Sequence, residues 1–220
     1  MKIWPKSIGM RIIAVIFPLL ACSIMWFSYG AVYYSYSSYE PQEGDIIFQS
    51  LPRSAFVNMI EGTSRSELSH CGIVVKSGDD WKVLEAYKPV AEKDLFDWIL
   101  RGRNGKFAVY RMKEGSPVKV AEFVKEARKF MKHPYDSSFL MDDENIYCSE
   151  LVYKAYINAG GDKPAKLIKV KNMNWKPYKR TIEKYEGGPV PLERDVITPV
   201  AIADSPIFEK VYNTGMKTPK

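Results

Sequence analysis

From Cys148 the residues Leu151, Val152, Ala155 and Ala159 follow at i+3, i+4, i+7 and i+11, the spacing of one apolar helical face. This stripe constrains the fold most, because a helix with a single apolar face must lay it on a sheet or on another helix. Ala159-Gly160-Gly161 closes the helix, and one of Asp142, Asp143 or Asn145 is expected to cap its start. Cys148 heads the stripe and so faces the core. A thiol in a first helical turn sits among free backbone N–H groups at the positive end of the helix dipole, and both favour the thiolate. Free cysteines are also among the most frequently buried residues, so the stripe by itself ranks packing ahead of catalysis. Glu150 turns away from the stripe and reads as structural or surface.

A catalytic thiol needs a base, and the base needs a group to hold its ring. Ser69-His70-Cys71-Gly72-Ile73-Val74-Val75, then Lys76-Ser77-Gly78-Asp79-Asp80, then Trp81-Lys82-Val83-Leu84-Glu85-Ala86-Tyr87 reads as strand, turn, strand. With a four-residue loop, Lys76 pairing Trp81 or Val75 pairing Asp80, His70 and Glu85 share a face, directly opposite or one pair apart; an odd loop separates them. Cys71 points to the other face and reads as a packed small hydrophobe, which disfavours a His70/Cys71/Cys148 metal site. His133, beside Pro134 after a helix, reads as a dipole partner at that helix's C-terminus. A helix carrying Cys148, packed on a sheet whose adjacent strands present His70 and Glu85 on one face, permits a thiol, a base and an orienting carboxylate to meet.

The other elements follow from local signals. Asp45 to Phe48 is a first strand, residues 51–68 hold a short helix or loop, and Phe107 to Met112 is a third or fourth strand. Ser116-Pro117 reads as a helix start. Its apolar stripe is Val120, Phe123, Val124, Ala127 and Phe130, with Lys119, Lys125, Arg128 and Lys129 on the solvated face. Lys163, Lys166, Lys169, Lys171, Lys176, Lys179 and Arg180 make residues 162–180 basic. A solvated excursion is the first reading there, ahead of a groove for an anionic substrate or a contact with lipid headgroups. Asp195 to Ile197 regains order, Thr198-Pro199 opens a short helix, and residues 207–212 form a last strand.

The 220 residues, 46% of them apolar, suffice for one good core, so we expect a folded domain over 40–220 and an N-terminal appendage over 1–39. Lys2, Lys6 and Arg11 precede an uncharged run over 12–39 that is strongly apolar as far as Phe27. That pattern is a signal peptide cleaved before Ala31, a retained membrane anchor, or a lipoprotein signal processed at Cys22. Leu19-Leu20-Ala21-Cys22 resembles a lipobox, but the apolar run continues past Cys22 through Met25-Trp26-Phe27, which suits an anchor better. Each outcome places the body on the extracytoplasmic side, as an inner-membrane-anchored protein or lipoprotein, with a soluble periplasmic form ranked last. Tyr33 to Ser38 reads as a Tyr/Ser linker. The net charge of +6 fits an anionic partner, yet no nucleic-acid motif accompanies it. Three cysteines without a CxxC pair indicate neither a disulfide scaffold nor a zinc ribbon. No metal or cofactor is expected.

Gly44-Asp45-Ile46-Ile47-Phe48, Ser69-His70-Cys71-Gly72-Ile73-Val74, Tyr147-Cys148-Ser149-Glu150-Leu151-Val152 and Ile197-Thr198-Pro199 together resemble the YiiX/YaeF permuted papain-like amidases of the NlpC/P60 superfamily. The likeness runs from about residue 40 to residue 212. It implies an α+β, circularly permuted papain-like fold, an antiparallel sheet packed against the helix that carries the cysteine. It also implies Cys148 as nucleophile, His70 as proton shuttle and Glu85 as the orienting third residue. The expected activity is a cysteine amidase or peptidase acting on an amide- or ester-containing envelope substrate such as a cell-wall peptide. A lipid-directed acyl hydrolase or acyltransferase is the runner-up, and a non-catalytic envelope binding protein the third reading. The backbone N–H of Cys148, with Tyr135 as the side-chain candidate beside Tyr147, would stabilise an oxyanion.

Overall fold

The computed structural model describes residues 29–219. Its centre is a six-stranded sheet built from β1 (Ile46–Gln49), β2 (His70–Ser77), β3 (Asp80–Ala86), β4 (Val90–Asp94), β5 (Phe107–Met112) and β8 (Phe208–Asn213). The order is β4-β3-β2-β1-β5-β8, and every neighbouring pair is antiparallel. β6 (Ile168–Lys169) and β7 (Asp195–Val196) form a separate two-stranded ladder.

Strict alternation along the strands gives the sheet two apolar faces. Ile46, Phe48, Cys71, Ile73, Val75, Leu84 and Ala86 project to one side. There they pack on α4 (Val120–Arg128), α5 (Cys148–Asn158) and α7 (Pro199–Ala203). Ile47, Val74, Val83, Phe107 and Val109 project to the other, against Leu95, Trp98 and Ile99 of α3 (Leu95–Arg101). A helix over residues 29–37, α1, completes that second layer. The Tyr/Ser stretch read as a linker is therefore helical as far as residue 37. Val32 and Tyr36 pack on the second core, and Tyr29, Tyr33 and Tyr36 surround the Phe96 ring at centroid distances of 5.6, 5.9 and 5.0 Å.

α2 (Ala55–Ser64) starts at a Ser54 cap whose hydroxyl accepts from the Val57 N–H. α4 carries its expected stripe inward through Phe123, Val124 and Ala127 but begins at Val120, three residues beyond Pro117. The extra residues are needed because Val118 is itself buried in the core, and the Ser116 hydroxyl accepts from the Val118 N–H instead of capping the helix. His133 holds the end of this region as expected, its Nδ1 2.9 Å from the Phe130 carbonyl. α6 (Lys179–Glu186) lies in the basic stretch. Among the described residues no helix is long and apolar enough to cross a membrane. The signal, anchor or lipidation segment and Cys22 lie outside the described residues.

Candidate active site

Cys148 is the first residue of α5, where its N–H and those of Ser149 and Glu150 precede the first intrahelical bond, from Leu151 N–H to the Tyr147 carbonyl at 3.0 Å. Three contacts fix this helix start. The Glu150 carboxylate accepts from the Tyr147 N–H at 3.1 Å, the Ser149 hydroxyl donates to the Ile197 carbonyl at 2.9 Å, and the Tyr147 hydroxyl accepts from the Ile197 N–H at 3.0 Å. Asp142, Asp143 and Asn145 do not cap the helix. Asp142 instead closes the preceding turn by accepting from the N–H groups of Glu144 and Asn145. Glu150 is fully buried rather than on the surface, paired with Lys154 at 2.9 Å, and burial pushes its carboxyl up to about 7.

The hairpin adopts the register with Lys76 opposite Trp81. Gly72 then lies across from Glu85, and His70 one pair further along the same face. Gly72 makes that arrangement possible, because a Cβ there would meet Val83 Cγ1 at 2.4 Å and Glu85 Cβ at 3.3 Å. His70 Nε2 lies 2.5 Å from Glu85 Oε2, both side chains buried. The carboxylate is held from two further directions. Trp98 Nε1–H donates to Oε2 at 2.9 Å, and Arg101 clasps both oxygens at 2.9 and 2.5 Å. The His70 ring stacks on Trp98 at 5.9 Å, and the Arg101 guanidinium lies 4.3 Å above the Tyr87 ring.

Trp98 and Arg101 belong to α3, whose signal in the chain is the Asp94 cap followed by Leu95, Trp98 and Ile99 at helical spacing. That periodicity marks a helix; only the pairing of β3 with β4 turns it over Glu85.

The sheet carries His70 and Glu85 on the α3 face, whereas α5 packs on the opposite face. Periodicity left open which face α5 covers; it is the one opposite His70. His70 heads β2 and Cys148 heads α5, so the two meet at one end of the layers, and it is Cys71 that points toward α5. Reading Cys71 as a packed hydrophobe away from the site is therefore incomplete: its thiol lies close enough to the Cys148 sulfur to act on its ionisation. That contact, followed by hydrogen bonding and charge from His70, holds the Cys148 thiol well below its usual range against the opposing effect of burial. Burial would lower His70, but its bonds to Cys148 and Glu85 prevail and raise it to about 9. Burial likewise opposes ionisation of Glu85, yet His70 and Arg101 bring it down to about 2. These directions favour a thiolate beside an imidazolium, backed by an ionised carboxylate.

Tyr135 lies close enough that the Cys148 charge, after burial, raises its phenol well above the usual value. Its O–H stays protonated and able to donate. The Tyr147 hydroxyl is already committed to Ile197 and to the Met141 sulfur.

Cys148 opens into a cleft. One wall is α2 with Met59 and Ile60; the facing wall comes from residues 170–197 and carries Met173, Trp175 and Ile182. The basic excursion is thus a wall of the site, with its apolar side chains turned inward. It is tied to α2 by Asn174, whose N–H reaches the Thr63 carbonyl at 3.0 Å and whose side-chain amide reaches the Gly62 carbonyl at 3.1 Å.

The family described as permuted papain-like amidase enzyme, YaeF/YiiX, C92 family, matches residues 40–212. The chain belongs to this family. Consistent with that, it is 34% identical over 172 residues to the uncharacterised protein YiiX of Escherichia coli (strain K12), covering 77% of this chain and 85% of that protein. The crystal structure of the metalloprotein YiiX from Escherichia coli O157:H7 superposes with a TM-score of 0.74 at 33% identity, over 82% of this chain and 100% of that one. The permuted papain-like fold read from the ordered motifs is the one observed. The description as a metalloprotein is of that protein. Among the described residues here no group of three or more His, Cys, Asp or Glu side chains is arranged to hold a metal ion. Glu85, the carboxylate beside His70, already faces the Arg101 guanidinium, which opposes a second cation there.

Proposed function

We propose that the chain is a thiol-dependent amidase in which Cys148 is the acyl acceptor. The observation that carries this reading is the buried line from Cys148 through His70 to the Glu85–Arg101 pair, which favours a thiolate at the mouth of a cleft. The thiolate attacks the substrate carbonyl while the free N–H of Cys148 and the Tyr135 hydroxyl donate to the developing oxyanion. His70 then gives its proton to the leaving amine, and in the second half-reaction removes one from the water that releases the acyl group. Glu85 accepts from Nε2, leaving the other ring nitrogen for the sulfur, and its charge stabilises the imidazolium. Lys2, Lys6, Arg11 and the apolar run to Phe27 support placing the body beyond the cytoplasmic membrane, with an envelope amide as substrate.

The test is hydrolysis of a panel of envelope-derived amides, with intact-mass detection of an acyl adduct on Cys148. Cys148→Ala and His70→Ala each abolish turnover with the circular dichroism spectrum unchanged. Retained hydrolysis in either variant refutes the assignment.

A further inference from the structure

α1 connects the uncharged run over residues 12–39 to the folded body without slack. Val32 and Tyr36 pack on the second core, and a Cβ on Gly105 would meet Val32 Cγ2 at 2.3 Å. The Tyr212 hydroxyl donates to the Ser35 carbonyl at 2.7 Å. Just beyond the helix Tyr39 is buried and donates to the Asp45 carboxylate at 2.6 Å. A flexible linker over this stretch would let the body turn freely about whatever holds residues 12–27. A helix packed into the core carries the body with it.

The side of α1 that faces away from the core carries tyrosines. Tyr29, Tyr33 and Tyr34 are 52%, 54% and 73% exposed, and Tyr29 and Tyr33 meet the Phe96 ring edge-on. Leu100, one turn beyond Phe96 on α3, extends the same surface and is 38% exposed. Two helices thus share one aromatic and aliphatic patch, and α1 contributes no charged side chain to it. Charge lies beside it on α3, where Asp97 pairs with Lys93 at 2.6 Å and Asp94 caps the helix start. An exposed apolar surface shared by neighbouring elements marks a contact surface. Tyrosine suits a boundary, with its ring on the apolar side and its hydroxyl on the wet side. Chain reach identifies the boundary. Tyr29 follows Phe27, the last residue of the strongly apolar run, by two positions, a span of at most about 7 Å. Tyr33 is one helical turn further on, about 6 Å. With residues 12–27 in a bilayer, the patch has to lie at its surface.

We propose that the patch formed by α1 and α3 is seated in the interfacial layer of the membrane that residues 12–27 enter, so that the catalytic body is docked on the bilayer instead of tethered above it. The occupant is lipid, because a second copy on this patch would compete with the bilayer that chain reach already brings there. α3 then serves two contacts. Phe96 and Leu100 meet lipid, while Trp98 and Arg101 hold Glu85 on the inner side. The orientation of the site relative to the bilayer is thereby fixed. The proposal rests on residues 12–27 being a retained anchor and is independent of the chemistry at Cys148.

The experiment uses the full chain in vesicles of phosphatidylethanolamine and phosphatidylglycerol. The photoreactive amino acid p-benzoylphenylalanine is incorporated singly at Tyr33 or Leu100. Controls carry it at Val120, which starts α4, or at Met131 just beyond that helix, each 37% exposed. α4 packs on the opposite face of the sheet. Intact mass after irradiation reads the adducts. Lipid adducts at Tyr33 and Leu100 should exceed those at Val120 and Met131 at least about fivefold. Val32→Glu, which breaks the packing of α1 on the core, should bring the Leu100 adduct down to the control level and leave the one at Tyr33. Leu100 labelling no stronger than the controls, in a chain that sediments with the vesicles, overturns the docking and leaves the anchor standing. Cross-links from Leu100 to another copy of the chain in place of lipid do the same. A chain that does not sediment with the vesicles overturns both. None of these readouts depends on turnover, so the Cys148 assignment is tested separately.

Discussion

Arg101 clasps the Glu85 carboxylate through two nitrogens, at 2.9 and 2.5 Å, while His70 takes the same carboxylate at 2.5 Å from the other side. The guanidinium fixes both the position and the ionisation of the group that orients the imidazole. Arg101→Met should therefore destabilise the fold by about 2–4 kcal/mol, the range for breaking a buried pair less the screening of a partly exposed partner. It should also slow Cys148 acylation by about 10-fold or more, with Arg101→Lys recovering part of the stability but less of the rate. Urea denaturation and acylation by p-nitrophenyl acetate check the two halves.

The Cys148 thiol, held low by Cys71 and His70, should stay reactive where an ordinary thiol is protonated. Because its value is depressed, the thiolate persists below the pH at which an ordinary thiol is protonated and disappears only as the pH falls through the lowered value. Iodoacetamide should alkylate Cys148 at pH 6 at a rate close to that at pH 8. His70→Ala moves the titration upward and cuts the pH 6 rate by about 10-fold or more. At the alkaline end the sign reverses for turnover. His70 is raised to about 9, so the imidazolium that protonates the leaving amine is lost as the pH rises through 9, and the rate of amide acylation falls there.

Cys71 lies beneath Cys148 on the buried face of β2 and favours ionisation of the Cys148 thiol. Cys71→Ser keeps an O–H at that point and should leave the iodoacetamide pH profile nearly in place. Cys71→Ala removes that polar group and should shift the profile toward higher pH. Identical profiles for the two variants would show that the second thiol only fills space.

Gly72 sits between His70 and Glu85 on their shared face, where a methyl would lie 2.4 Å from Val83 Cγ1. Gly72→Ala should destabilise the protein by about 1–3 kcal/mol through overpacking. It should also displace Glu85 from His70, lowering the thermal midpoint and the acylation rate together.

The chain by itself determined the periodic elements and the chemical types of the site. The stripe from Cys148 to Ala159 specified a buried helix headed by a thiol, and the alternation around Gly78 specified a hairpin in which an even loop brings His70 and Glu85 into phase. Both are local properties, fixed by 3.6- and 2-residue periods. The ordered motifs added the permuted papain-like family. Three things were decided only when the layers assembled. The first is the face on which α5 lies, which makes Cys71 rather than His70 the residue pointing beneath it. The second is the placement of α3, which carries Trp98 and Arg101 onto a carboxylate 13 and 16 residues upstream. The third is the folding of residues 170–197 against α2, which turns a lysine-rich stretch into an apolar wall. Periodicity reports which side of an element is apolar, but not what that side will meet. That is settled by non-local packing, where several elements must be buried at once and only one arrangement buries them together.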